Sequence, residues 1–251
     1  MDRRDRLLRG CPVATGLGLE FGPLANPVVR KVDGRVVYVD YADTETLRTK
    51  AANDPNVDET AVVAVDVDLQ RGTLVEQCGR LGPFDYAVAS HVFEHLPNPV
   101  GWLRDVSSLL VPGGVIALAI PDRRYTFDYF RAETSVAQLV AYDLESPSRP
   151  TLAQLTDHFY NVRRVDPASA WSSTPTKADV ARHHDDAQVD RILGRAIGGK
   201  YVDCHCTVWT SEHFRGVFPD VCRLRGLPLR IQLLDDPKRG TNEFLVTLER
   251  V

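Results

Sequence analysis

Short apolar runs, each bounded by Gly, Pro, Asp or Asn, recur along the first half of this chain and predict strands at residues 17–23, 35–40, 61–65, 84–90 and 115–120. Between the last two, residues 97–110 carry apolar positions at helical spacing, and Pro112-Gly113-Gly114 marks the stop before the next strand. Strand, helix, strand is the βαβ unit of a parallel sheet. A helix is predicted to begin at Thr44 or Asp43, and another to run over 69–78. From Asp122 to about Thr207 the texture changes to a polar stretch rich in Arg, Asp and His, without convincing strands. The strand pattern then returns. Residues 211–227 read as a helix capped by Thr210 or Ser211 and stopped by Gly226, and 228–234 and 244–249 read as a closing hairpin across DDPKRGTN. The fold class expected is therefore α/β and doubly wound, with a largely helical insertion after the fifth strand.

Composition narrows the function. The chain has 251 residues, 43% apolar and 25% charged, with a net charge of −4, so a nucleic-acid partner is not expected. No stretch approaches the roughly 20 apolar residues of a membrane span, and MDRRDRLLRG lacks the apolar core of a signal peptide. A cytoplasmic location is expected. The 5 cysteines are odd in number and scattered, which fits reduced thiols.

In an open α/β sheet, ligands sit beyond the carboxyl ends of the strands, and that is where the reactive side chains fall. Asp40 ends the second strand and can accept hydrogen bonds from both hydroxyls of a ribose, or simply form a turn. SHVFEH follows the fourth strand; if it is helical, His91, Glu94 and His95 lie at i, i+3 and i+4 and share a face. Such a face can position a cofactor, act as a base with orienting partners, or hold a divalent metal as a two-His, one-carboxylate set. Asp122 ends the fifth strand, facing the cleft or capping a helix, with Arg123, Tyr125 and Asp128 after it. The insertion adds His158, then His183-His184-Asp185-Asp186, which reads as a solvated polar face, and Asp203-Cys204-His205-Cys206, at most half a zinc site.

Together, SHVFEHLPNPVGWL, PGG and PDRRYTFD resemble the class I S-adenosylmethionine-dependent methyltransferases, and among them a bacterial group associated with saccharide chemistry. The likeness spans most of the chain. It implies a Rossmann-like seven-stranded sheet with the last strand antiparallel, built from a cofactor half at 1–121, a substrate lid at 122–207 and a closing helix and hairpin at 208–251. It further implies cofactor contacts from Glu20, Phe21 and Gly22, with Leu24 standing in place of the second loop glycine. Only LANPVVRKVDGR separates Gly22 from the next strand, so the customary first helix is expected to be shortened or lost. The resemblance places Asp66, with the amide of Val67, at the adenine, leaving Asp68 as a competitor, and Ser90 beside the cofactor. Some of these enzymes bind magnesium through Glu-x-x-Glu-His; here His91 replaces the first Glu, and no metal is assigned. The catalytic candidates are His91, His95 and Asp122, with His205 approaching from the lid as its Asp203, Trp209 and Thr210 neighbours match the group. The implied partner is a small polar acceptor bearing a hydroxyl or amine, a sugar or glycosylated natural product, with no nucleic acid and no membrane. The oligomeric state stays open, a homodimer being compatible. Two other readings stand beside this one: a catalytically silent binding or scaffold protein, and a nicotinamide-dependent Rossmann oxidoreductase, disfavoured because Gly-x-Gly-x-x-Gly is absent.

Overall fold

A computed structural model describes residues 1–251. The chain opens with α1 (Arg3–Leu7), then β1 (Leu17–Phe21), β2 (Arg35–Asp40), α2 (Thr44–Ala51), β3 (Val67–Asp68), α3 (Leu74–Cys78), β4 (Phe84–Ser90), α4 (Pro99–Leu109) and β5 (Leu110–Pro121). Four helices follow, α5 (Val136–Glu145), α6 (Leu152–Asn161), α7 (Pro167–Ser172) and α8 (Asp186–Ile197), before α9 (Ser211–Arg225), β6 (Leu229–Asp235) and β7 (Glu243–Arg250). The strands form one sheet in the order β3-β2-β1-β4-β5-β7-β6, with only β7 antiparallel to its neighbours. Its order reverses between β1 and β4, so the carboxyl ends there open a crevice for a ligand.

Alternation along the strands divides the apolar residues between two faces. Leu19, Phe21, Ala87, Ala89, Ile116 and Leu118 point to the larger core, packed with α4 and α9 residues such as Leu103, Phe214 and Phe218. The opposite face, with Tyr38, Tyr86, Val88 and Ala117, is covered by Leu7 of α1 and by Val28 and Val29. No helix intervenes between β1 and β2, as the short segment predicts. The amides of Val28 and Val29 instead donate to the buried Glu20 carboxylate at 2.6 and 2.8 Å, tying the loop down.

Gly18 lies opposite Tyr86 in the β1–β4 pair, and a Cβ at Gly18 would come within 2.2 Å of that ring. Gly18→Ala must displace a fully buried tyrosine, so we expect a loss of roughly 1–3 kcal/mol in urea unfolding.

Three expectations need correcting. The apolar run 61–65 does not pair: residues Glu59–Ala61 form a 3-10 turn, and the edge strand is the two-residue β3. Asp66 explains the shift, because its carboxylate accepts from Tyr38 N at 2.8 Å where a strand carbonyl would otherwise sit. The predicted helix over 69–78 is divided into a turn at Leu69–Arg71 capped by Asp68 and α3 capped by Thr73. Pro112-Gly113-Gly114 does not precede β5 but bulges within it, since Phe84 pairs with Leu110 while Tyr86 already pairs with Val115. The insertion is helical as expected, and its first helix, α5, packs against α4 and α9 in the layer that covers the sheet.

Candidate active site

Two groups of side chains gather beyond the carboxyl ends of the strands. The first surrounds the β1–β2 crevice. Gly22 has φ +61° and a Cβ there would meet Val92 Cγ2 at 2.9 Å, so backbone approaches this point where no side chain fits. Leu24 holds φ +44° although it is not glycine, so the loop keeps a glycine-like backbone without the residue. Asp40 is buried, and the only side-chain hydrogen bond to it comes from Tyr41 N at 2.8 Å. Burial with so little compensation pushes its carboxyl up to about 6. Glu20 is raised to about 7 by burial, against the pull of the Val29 and Val28 amides.

The second group lies where β4, β5 and the insertion meet. Ser90 Oγ accepts from Arg3 Nη2 at 2.8 Å, and Arg3 also grips both oxygens of Glu243 at 2.6 and 2.7 Å. His91 Nε2 shares that carboxylate at 2.8 Å. Burial works against a charge on His91, but Glu243 and Glu94 outweigh it and hold the imidazolium up to about 9. His91 has φ +54° and Phe93–His95 is a 3-10 turn, so the helical face expected for SHVFEH does not form. Glu94 is nevertheless buried beneath both histidines, with His91 Nδ1 at 3.5 Å and His95 Nε2 at 4.0 Å.

Across the cavity, residues 203–206 alternate as in a strand. Asp203 and His205 face the site, while Cys204 and Cys206 turn to a small core with Leu155. The half-zinc reading of these cysteines finds no completing ligands, because both sulfurs turn into an apolar cluster and the one His/Cys/Asp/Glu group close enough to hold an ion includes neither. Asp203 binds His95 Nδ1 at 3.1 Å. Asp128 binds His205 Nδ1 at 2.5 Å and is itself held by Arg131 Nη1 at 2.8 Å. Burial opposes the Asp128 charge, yet His205 and Arg131 keep its carboxyl down at about 2. Each imidazole thus has its Nδ1 fixed by a carboxylate and its Nε2 free. His91, Thr126, Phe127, Arg164, His183 and His205 line a cavity of about 480 Å³ here.

Residues 13–116 match the family model described as a methyltransferase domain. Over that segment, somewhat under half of its length, the chain is similar to a methyltransferase domain. The sheet order with its single antiparallel strand agrees with the class I methyltransferase fold. No curated protein matches the chain. Among solved structures, a Rhodobacter sphaeroides protein described as a Zn-dependent alcohol dehydrogenase shares 18% identity over 100% of this chain and 90% of its own, with a TM-score of 0.52. At that identity the likeness concerns the fold alone. An S-adenosylmethionine-dependent methyltransferase from Mesorhizobium loti is 15% identical over 98% of each chain with a TM-score of 0.47, and the CcbJ methyltransferase of Streptomyces caelestis is 13% identical over 100% and 97% with 0.42.

The residues of the crevice fit S-adenosylmethionine: Gly22 leaves room for close backbone approach, and buried Asp40 offers acceptor capacity that no side chain uses. Glu20 sits one step behind, buried and bonded to the loop amides, and Phe21 and Val67 pack into the core. Asp66 bonds Tyr38 N and Lys31 Nζ, both at distances under 3 Å, whereas Asp68 stands level with Asp40 at the strand ends. A second cavity, of about 410 Å³, takes in Asp66 and Asp68 at the sheet edge and is lined by neither Asp40 nor Gly22.

Asp122 is a correction. It is fully buried, pairs bidentately with Arg124 at 2.8 and 2.7 Å, and accepts from Ser211 N at 3.2 Å at the start of α9. Its carboxylate joins β5 to α9 and has no access to an acceptor. Sequence reasoning missed Asp128 as the partner of His205, 77 positions away, and His183 as a cavity residue. The paired tyrosine and aspartate of YTFD gave no sign of which side chain would turn inward.

Proposed function

We propose that this protein moves a methyl group from S-adenosylmethionine to a hydroxyl or amine of a small polar acceptor, a sugar or a glycosylated natural product. The observation that carries the reading is the Asp128–His205 pair opening on the 480 Å³ cavity beside the β4 and β5 ends. A cavity of that size suits a small molecule. Its lining sets His, Arg, Asp, Thr and Asn side chains among Pro121, Phe127, Val165 and Pro167, which suits an acceptor that carries hydroxyls or amines on a partly apolar frame.

When bound, S-adenosylmethionine supplies an electrophilic sulfonium methyl. Asp40 accepts from the ribose hydroxyls, the loop at Phe21–Leu24 brings backbone close, and Asp66 or Asp68 serves the adenine, Asp66 being held by Tyr38 N and Lys31 and Asp68 by Gln70 N and Arg71. The insertion excludes water and aligns the acceptor with the breaking bond. The acceptor heteroatom would gain that methyl and give up one proton, which this chain's residues would have to receive. Proton removal belongs to the cluster of Glu94, His95 and His205. His91 has a different part: Glu243 occupies one nitrogen and Glu94 faces the other, so it locks the β4 loop to β7 and α1.

Calorimetry with S-adenosylhomocysteine tests the cofactor reading. Wild type should bind at micromolar levels and Asp40→Ala should not; absence of binding by folded wild type would move the weight to a scaffold. The same titration has a pH signature. Ribose binding needs ionised Asp40, whose carboxyl titrates near 6, so affinity should fall about tenfold from pH 7.5 to pH 5. Folding shows the opposite sign, because a raised carboxyl favours the protonated folded chain and its contribution is lost as pH rises through 6. A flat binding profile would remove Asp40 from the ribose.

A further inference from the structure

The geometry points to a divalent transition-metal site made by Glu94, His95 and His205. The inference deepens the reading of the cavity given above, and it names the ion that would act on the acceptor. One donor atom from each of these three residues lies within 4.8 Å of the others. A cation with arms of about 2.1 Å would draw them to tetrahedral edges of roughly 3.4 Å, a closure that side-chain rotation can provide.

Three observations converge on it. Glu94 is 1% exposed, and neither of its carboxylate oxygens has a hydrogen-bond partner. The nearest cation is the His91 imidazolium, its Nδ1 3.5 Å from one oxygen and itself shared with Glu243, so most of the acceptor capacity of this buried carboxylate stays unused and can serve a further cation. Secondly, His95 and His205 each spend Nδ1 on a carboxylate, Asp203 and Asp128, so in the neutral ring the proton sits on Nδ1 and Nε2 is the nitrogen left to coordinate. A carboxylate behind each imidazole is the usual outer support of metal-binding histidines. Thirdly, the two segments are clamped together at this point, because Cys206 N and Thr207 N both donate to the backbone oxygen of Glu94, at 2.6 and 3.2 Å. Donors more than a hundred residues apart are thereby held in a rigid frame.

This donor set departs from the one suggested by SHVFEH alone. His91 drops out, tied to Glu243, and His205 from the insertion replaces it. Two imidazoles and one carboxylate favour Zn²⁺, Mn²⁺, Co²⁺ or Fe²⁺ over Mg²⁺, which prefers oxygen ligands and water. With three protein ligands the ion keeps an open position toward the cavity. There it would take the acceptor oxygen or nitrogen and ease loss of its proton to water before methyl transfer.

The test uses the full chain stripped with EDTA. Co²⁺ is titrated by visible absorption and Zn²⁺ by calorimetry, with S-adenosylhomocysteine titrated into the same stripped protein. We expect one Co²⁺ per chain, with d–d bands of a low-coordinate site. Glu94→Gln and His205→Ala should weaken binding by roughly 100-fold or more, and Asp203→Asn by about 10–100-fold. Asp203 is 58% exposed at its side chain, so that variant reports on the site even if the buried substitutions disturb folding. No Co²⁺ or Zn²⁺ binding by folded wild type overturns the inference, as does binding indifferent to Asp203→Asn and Glu94→Gln, or a preference for Mg²⁺. S-adenosylhomocysteine binding without Co²⁺ binding removes the metal and leaves the methyltransferase reading. Co²⁺ binding without nucleoside binding does the reverse.

Discussion

His205→Ala should lower the rate of methyl transfer by roughly 10²–10⁴-fold while leaving the affinity for S-adenosylhomocysteine within about twofold of wild type. The split follows from position. His205 lines the acceptor cavity and reaches the β4 loop only through the Glu94 cluster, whereas the ribose and adenine candidates, Asp40 and Asp68, stand at the ends of β2 and β3. Asp128→Asn should show the same pattern to a smaller degree. An amide in place of the carboxylate still fills the space but can turn its NH₂ toward Nδ1, which would favour the wrong imidazole tautomer. The measurement is transfer of labelled methyl to a panel of sugars, aminosugars and glycosides, beside calorimetry of the nucleoside. Equal losses of turnover and nucleoside affinity would place His205 in the cofactor crevice instead. Undiminished turnover in His205→Ala would detach the cluster from the chemistry altogether.

The sheet was legible in the sequence because period-two alternation and turn residues report directly on a pleated, half-buried strand. The closing hairpin and the cap of α9 by Thr210 followed from the same local rules. Local rules failed where a side chain replaced a backbone partner. Residues 61–65 have the composition of a strand, yet Asp66 meets Tyr38 with its N on the carbonyl and its carboxylate on the amide, and regular strand register begins only at Val67. The bulge at Pro112-Gly113-Gly114 was equally hidden, since those residues stop helices and interrupt strands alike.

The site divides along the same line. Asp40 and the SHVFEH residues were legible because the fold's logic puts functional groups at strand ends. Asp122 shows the weakness of that logic: a strand-ending aspartate can also stitch two elements together, and here it bonds Arg124 and accepts from Ser211 N at the start of α9. The grouping of Glu94 with His205 was unreadable, because it depends on where the insertion returns across β4. No spacing in a sequence encodes a contact between segments 111 residues apart. What did survive is the prominence of His205, flagged by its neighbours rather than by any pairing.

The largest stability effect should come from Arg131. Its guanidinium is 2% exposed and bonds Asp128 at 2.8 Å, Asp157 at 2.9 Å and the backbone oxygen of His205 at 2.9 Å. Asp128 in turn is 2% exposed and depends on Arg131 and His205 for its charge. Arg131→Met fills a similar volume and removes every one of these donors, leaving a buried carboxylate with a single partner. Breaking one side of a buried pair costs about 3–5 kcal/mol, more than the gain from burying an apolar side chain can offset. For a chain of this length that corresponds to a fall in Tm of roughly 6–20 °C. The double variant Arg131→Met with Asp128→Asn should recover part of the loss, since the stranded charge goes with it. Urea unfolding of the wild type, both singles and the double completes the cycle. Additive losses would mean that Arg131 stabilises the insertion through Asp157 and the His205 backbone oxygen, without its bond to Asp128.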